Sequence, residues 1–126
     1  MQPARTVQDL EQAVRKGLPF SVLQSVVATF GLDGRLVAAI LHLSPRTLSR
    51  RKADRRLSPE ESDRLVRMVR VMTRARSVLG GEAGMAWLHT ANRALGGRAP
   101  LTLLDTDLGA IQVEQVLGRI EHGVFS

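Results

Sequence analysis

The sequence predicts an all-α protein, a helix-turn-helix bundle followed by a small C-terminal helical domain, and three observations carry that expectation. Apolar residues recur every three or four positions along most of the chain, and no segment alternates apolar with polar residues for long, as a half-buried strand would. Turn-forming residues such as Gly17, Gly31 and Pro45 fall between the periodic stretches. The stretch LSPEES, residues 57–62, is a helix start in itself. Ser58 is the cap, Pro59 the first helical residue, and Glu61 the partner that reaches back to the cap.

Taken in order, Thr6 caps a first helix whose stripe is Val7, Leu10 and Val14, and Gly17 stops it. Pro19 opens a second through Phe20, Leu23, Val26, Val27 and Phe30, ended by Gly31. A third spans about Asp33 to Leu41, and a fourth starts at Pro45, where a missing N–H costs nothing, and carries RTLSRRK. The fifth runs from Pro59 to about Leu79, with Leu65, Met68, Val69, Met72 and Val78 or Leu79 facing inward. The double glycine Gly80-Gly81 divides the chain into a helix-turn-helix and dimerisation region, 1–80, and a C-terminal domain, 81–126. Beyond it come a helix at EAGMAWLH, a short one at NRAL capped by Asn92, a turn at PLTLL, and a final helix from about Thr106 to Glu121. The last helix puts Val113, Val116 or Leu117, and Ile120 on one side; Trp87 is expected to anchor the C-terminal core.

The chain has 126 residues, 44% of them hydrophobic, enough to bury a core. The longest apolar run is LVAAIL, residues 36–41, and no N-terminal segment joins a basic stretch to a long apolar one. With no cysteine, disulfides and thiolate metal sites are excluded, and the composition fits a soluble cytoplasmic protein with no membrane role. The net charge of +6 is unevenly placed. Residues 31–80 carry twelve basic side chains against five acidic, +7, whereas residues 81–126 carry three against five, −2. A basic middle and a mildly acidic end suggest two tasks in one short chain, one of them nucleic-acid binding.

Residues 36–58, LVAAILHLSPRTLSRRKADRRLS, have the pattern of a helix-turn-helix. Ala38 is the small residue where two steeply crossed helices approach, and Ile40, Leu41, Leu43 and Leu48 form the shared apolar wedge. Arg46, Thr47, Ser49 and Arg50 are then available to a DNA major groove, where Arg pairs bidentately with guanine and Thr meets thymine. Arg51, Lys52, Arg55 and Arg56 extend the charge toward phosphates. Many such units place glycine in the turn. Here it is His42, so either the turn differs or a left-handed conformation is strained there. Two core helices with a solvated charged face are the competing explanation, although such faces ordinarily mix signs.

The chain ends RIEHGVFS, residues 119–126. Gly123 can cap the last helix, leaving Val124 and Phe125 either as a satellite of the core or as a contact for another protein. His42, His89 and His122 are isolated, GGEAG and GGRAP lack the Lys-Ser/Thr ending of a phosphate loop, and Glu60, Glu61 and Asp63 decorate a helix start. No catalytic constellation, metal site or cofactor motif is present, so the chain is not expected to be an enzyme.

Three blocks in order, LSPRTLSRRK with RLSPEESDRLVRMVRV, then AWLHTANRALGGRAPLTLLDTDLG, then RIEHGV, resemble the Xre–MbcA–ParS type of bacterial antitoxin over residues 19–126. That resemblance implies an N-terminal Xre-like helix-turn-helix and a C-terminal toxin-binding domain. It further implies a homodimer that binds its own operator DNA and neutralises a RES-domain toxin that destroys NAD, by covering the toxin's active site with the C-terminal region. Trp87, Asn92, Leu95, Gly96, Gly97, Pro100 and Gly109 fall on the family's C-terminal block, and Arg119, Glu121, His122, Gly123, Val124 and Phe125 on its terminal, toxin-binding motif. Under it, Val124 and Phe125 are expected at an interface, rimmed by Arg119, Glu121 and His122. Two other functions compete: a stand-alone repressor whose C-terminal half only dimerises, and a protein-binding inhibitor whose helix-turn-helix no longer meets DNA.

Overall fold

The computed structural model describes residues 6–123; Val124 and Phe125 of the predicted terminal contact lie outside them. Among the described residues the chain forms seven α-helices and two short 3-10 turns, with no strand beyond two isolated backbone bridges. These elements form two compact units, one up to Leu65 and one from Val66 onward.

The first unit holds α1 (Val7–Lys16), α2 (Phe20–Phe30), α3 (Gly34–Ile40), α4 (Pro45–Asp54) and the start of α5 (Pro59–Leu79). Thr6 caps α1 as its spacing predicts, its hydroxyl accepting the Asp9 N–H at 3.0 Å. Gly17 ends α1 at φ 85°, and a Cβ there would lie 2.2 Å from the Leu57 carbonyl oxygen, so only glycine lets the chain pass. That close approach serves a lacing of two connections. The Leu57 N–H donates to the Leu18 carbonyl at 2.9 Å, and the Phe20 N–H donates to the Arg55 carbonyl at 3.0 Å. The buried Ser62 hydroxyl accepts the Leu18 N–H at 2.8 Å and donates to the Ser58 carbonyl at 2.7 Å. A polar group is covered there because both of its hydrogen-bonding roles are filled. Leu18, Phe20, Leu23, Leu32, Val37, Ala38, Ile40, Leu41, Leu43, Leu57 and Leu65 are its covered apolar side chains. Leu10 and Val14 of α1, and Val26, Val27 and Phe30 of α2, are only half-buried.

The second unit takes the rest of α5, then α6 (Gly81–His89), 3-10 turns at Arg93–Leu95 and Pro100–Leu103, and α7 (Asp107–Glu121). Met68, Met72, Leu88, Leu104 and Leu117 are fully covered in it. Each contributes about 1.5–3 kcal/mol, which outweighs the surface ion pairs around them. Leu88, not its neighbour Trp87, is the fully buried anchor of α6; Trp87 is half-buried, as is Val69 on α5. Asn92 caps the first 3-10 turn, its side-chain oxygen accepting the Ala94 N–H at 2.9 Å. The second turn packs under α7 so closely that a Cβ at Gly109 would lie 1.9 Å from the Leu103 carbonyl oxygen. Among the described residues, no helix is long and apolar enough to cross a membrane.

Candidate functional site

Two surfaces follow from these elements, one in each unit. The first is built on α3 and α4. Ala38, 7% exposed, is the small residue of the crossing, and its carbonyl accepts the Leu43 N–H at 2.8 Å while the Ala39 carbonyl accepts the His42 N–H at 3.1 Å. These two bonds make a Schellman end to α3, and they place His42 at φ 61° in the left-handed region where glycine is usual. Ile40, Leu41 and Leu43 are buried beneath the turn, with Leu48 half-buried beside them. Ser44 then caps α4, its hydroxyl accepting the Thr47 N–H at 3.1 Å, with Pro45 as the first helical residue.

The predicted DNA-binding residues have different surroundings. Arg46, Ser49 and Arg50 are exposed and, at helical spacing, share the outer face of α4; Thr47 is half-buried, its hydroxyl 3.0 Å from that of Ser44. Lys52 and Arg55 are exposed, and Arg55 ends α4 at φ 62°. Arg51 points the other way. Its Nε and Nη2 donate to the two carboxylate oxygens of Glu61 at 2.8 and 3.1 Å. Arg56 donates to the Gly17 carbonyl at 2.7 Å. Burial works against the Glu61 charge, but hydrogen bonds from Arg51 and Ser58 together with the Arg51 charge outweigh it, holding the carboxyl below its ordinary range. The hydrogen bond to Glu61 raises the Arg51 guanidinium in turn.

Most of the cations of α5 are also engaged within their own units. Arg64 donates to the Leu41 carbonyl at 3.3 Å and Arg67 to the Leu104 carbonyl at 3.4 Å. Arg70 pairs with Glu114 at 2.9 Å and Arg74 with Glu121 at 3.4 Å. The strongly basic middle of the sequence is therefore divided. Part of its charge faces water on α4, and part ties α5 to carbonyls and to α7. Spacing along the chain carries no signal for that division, because Glu114 is 44 residues from Arg70.

The second surface is the outer side and end of α7. Gln115, Gly118, Arg119 and His122 line one shallow depression. Glu121 is separated from Arg119 and His122, being turned to Arg74, and Gly118 leaves room for that contact: a Cβ there would sit 3.4 Å from Arg74 Nη2. The His122 N–H donates to the Gly118 carbonyl at 3.0 Å, and Gly123, at φ 66°, takes the left-handed turn expected of it. Two residues absent from the sequence-based expectations stand on this helix, Leu108 and Ile111, exposed at 73% and 42%. Their spacing on the side opposite Val113 and Val116 was the available signal. Among the described residues, no three of His, Cys, Asp or Glu converge as metal ligands would.

Comparison with known proteins matches residues 9–70 to the antitoxin Xre-like helix-turn-helix domain and residues 74–123 to the antitoxin Xre/MbcA/ParS C-terminal toxin-binding domain. The chain is 37% identical to an Antitoxin Xre of Yersinia enterocolitica over 98% of its own length and 86% of that protein. It is 33% identical to an Antitoxin Xre of Photorhabdus laumondii over the same shares. It is also 27% identical to a protein of Sphingobium named Prs ADP-ribosylating antitoxin, over 90% of this chain and 78% of that one.

Proposed function

The chain belongs to the Xre antitoxin family, with a helix-turn-helix and a toxin-binding domain, and from that premise we propose how it works: it neutralises a RES-domain, NAD-degrading toxin by covering the toxin's active site with its C-terminal region, and it represses its own promoter as a cytoplasmic homodimer. As an antitoxin it acts by binding and not by catalysis. The observation that carries this reading is the pairing, in one chain, of a toxin-binding domain with an exposed cationic face on α4.

In the DNA role, Arg46 and Arg50 meet base edges, Ser49 and Thr47 assist them, and Lys52 and Arg55 hold phosphates. Arg51 acts behind the interface, fixing α4 to the start of α5 through Glu61. Two copies would present two such helices to successive major-groove half-sites. The half-covered apolar stripe of α1, with Val7 at 85% exposure, is consistent with a second copy packing there. In the toxin role, Arg119, His122 and Gly123 lead into Val124 and Phe125, which enter the toxin.

The test has two arms on the full chain. Arg46→Ala with Arg50→Ala is expected to weaken promoter binding at least tenfold while leaving the melting temperature and toxin capture unchanged, and undiminished promoter affinity would remove α4 from the DNA role. Deletion of residues 124–126 is expected to spare promoter binding and to weaken protection of cells that express the RES-domain protein of the same locus. Full protection by the shortened chain would remove the terminal segment from the toxin role.

A further inference from the structure

The inward face of α7 is complete: Gly109, Ala110, Val113, Val116 and Leu117 are all buried. The outward face has no such account. Leu108 and Ile111 lie three residues apart on it and, with Val7, are the exposed large hydrophobic side chains among the described residues. The same face continues, at helical spacing, through Gln115, Gly118, Arg119 and His122, which share one depression. A leucine left 73% open to water in the first turn of a helix adds little to folding, where a polar residue would serve. Exposed apolar side chains beside a recess are the ordinary mark of a contact surface.

We infer that this outward stripe of α7, with Leu108 and Ile111 as apolar anchors and Arg119 and His122 as its polar end, is a docking face for the toxin. The inference rests on the toxin-neutralising role proposed above. Two observations choose the toxin as occupant. All of α7 falls inside residues 74–123, the part of the chain that matches a toxin-binding domain. The stripe also ends at His122, next in the chain to Gly123 and close in sequence to the terminal residues given the toxin role above. The chemistry of the partner follows from the stripe. At about 1.5 Å of rise per residue, Arg119 stands about 12 Å along the helix from Ile111. The flanking carboxylates Glu114 and Glu121 are drawn off to Arg70 and Arg74, leaving the Arg119 end cationic. The toxin surface must therefore offer an apolar hollow and, about 12 Å away, a carboxylate or a cluster of carbonyl oxygens. The terminal segment thus works as the end of a longer footprint that begins two turns or more up the helix.

The experiment measures binding of the RES-domain protein of the same locus to four full or near-full chains: wild type, Leu108→Gln, Leu108→Gln with Ile111→Gln, and the chain lacking 124–126. Sedimentation of each toxin-free chain is recorded alongside. The expected result is wild-type binding, a loss on the order of 30-fold for the double variant with part of it in L108Q alone, and unchanged melting temperatures and sedimentation. Wild-type binding with undiminished binding by both Gln variants would overturn the docking face and leave the toxin-neutralising role intact. No binding by wild type would overturn both. A double variant that turns a toxin-free dimer into a monomer would assign the stripe to a second copy and overturn the inference.

Discussion

Glu61 grips Arg51 with both carboxylate oxygens, at 2.8 and 3.1 Å, while the oxygen nearer Arg51 Nε also accepts the Ser58 N–H at 2.9 Å. The Glu61 N–H completes the exchange by donating to the Ser58 hydroxyl at 3.1 Å. One carboxylate therefore closes the capping box of α5 and fastens α4 to it. The pair is largely covered, with side-chain exposures of 22% for Arg51 and 8% for Glu61. A covered pair gains little over an apolar one, yet losing one partner strands the other.

Glu61→Gln keeps a cap acceptor and removes the charge, so at pH 7 it is expected to destabilise the folded chain by about 1–3 kcal/mol in urea denaturation. The pH dependence has a definite sign. The Glu61 carboxyl is lower in the folded chain than its ordinary 4.5, so its stabilisation is fully present above pH 4.5 and is lost as pH falls through the folded value. The gap between wild type and E61Q should hold constant from neutral pH to about pH 5 and narrow below pH 4.5. A gap that widens in acid would contradict the pairing.

Arg55 closes α4 at φ 62°, a conformation that costs a residue with a Cβ about 1 kcal/mol or more, and its side chain is exposed. Arg55→Gly is expected to raise stability by about 0.5–1 kcal/mol. It should also lower the salt slope of promoter binding by about 0.9 per protomer, the share of one phosphate contact. Stability and DNA affinity moving in opposite directions would separate the two roles. A joint fall would mean that the Arg55 side chain holds the fold.

Gly109 sits where α7 crosses the second 3-10 turn, with Thr106 Oγ accepting its N–H at 3.0 Å. A Cβ there meets backbone at 1.9 Å, which no rotamer change relieves. Gly109→Ala should cost about 3 kcal/mol, at the upper end of overpacking, and abolish toxin capture at 37 °C. Gly123→Ala makes a useful contrast, since nothing lies within 4 Å of its Cβ position and the penalty there is conformational alone. Equal melting temperatures for wild type and G109A would show that the crossing relaxes.

Much of the fold was legible because helix ends are local chemistry. Thr6, Ser58 and Asn92 cap from within three residues of the N–H groups they satisfy. Gly17 and Gly31 stop helices through their own backbone freedom. His42 is the informative case in the turn. The sequence raised two options for it, and the hydrogen bonds to Ala38 and Ala39 select the left-handed one, with a Cβ present.

By itself the sequence determined the all-α class, the order of the helices, the helix-turn-helix and the family resemblance, since all depend on periodicity and on motifs within short windows. The tertiary structure decided which charges are free. Arginine looks alike in sequence whether it faces water, as Arg46 and Arg50 do, or holds a carboxylate, as Arg51 and Arg70 do. The same holds for apolar residues on α7, where Leu117 is fully buried and Leu108 lies open. Both distinctions depend on which distant segment packs against the residue, and long-range packing is what the folded chain supplies.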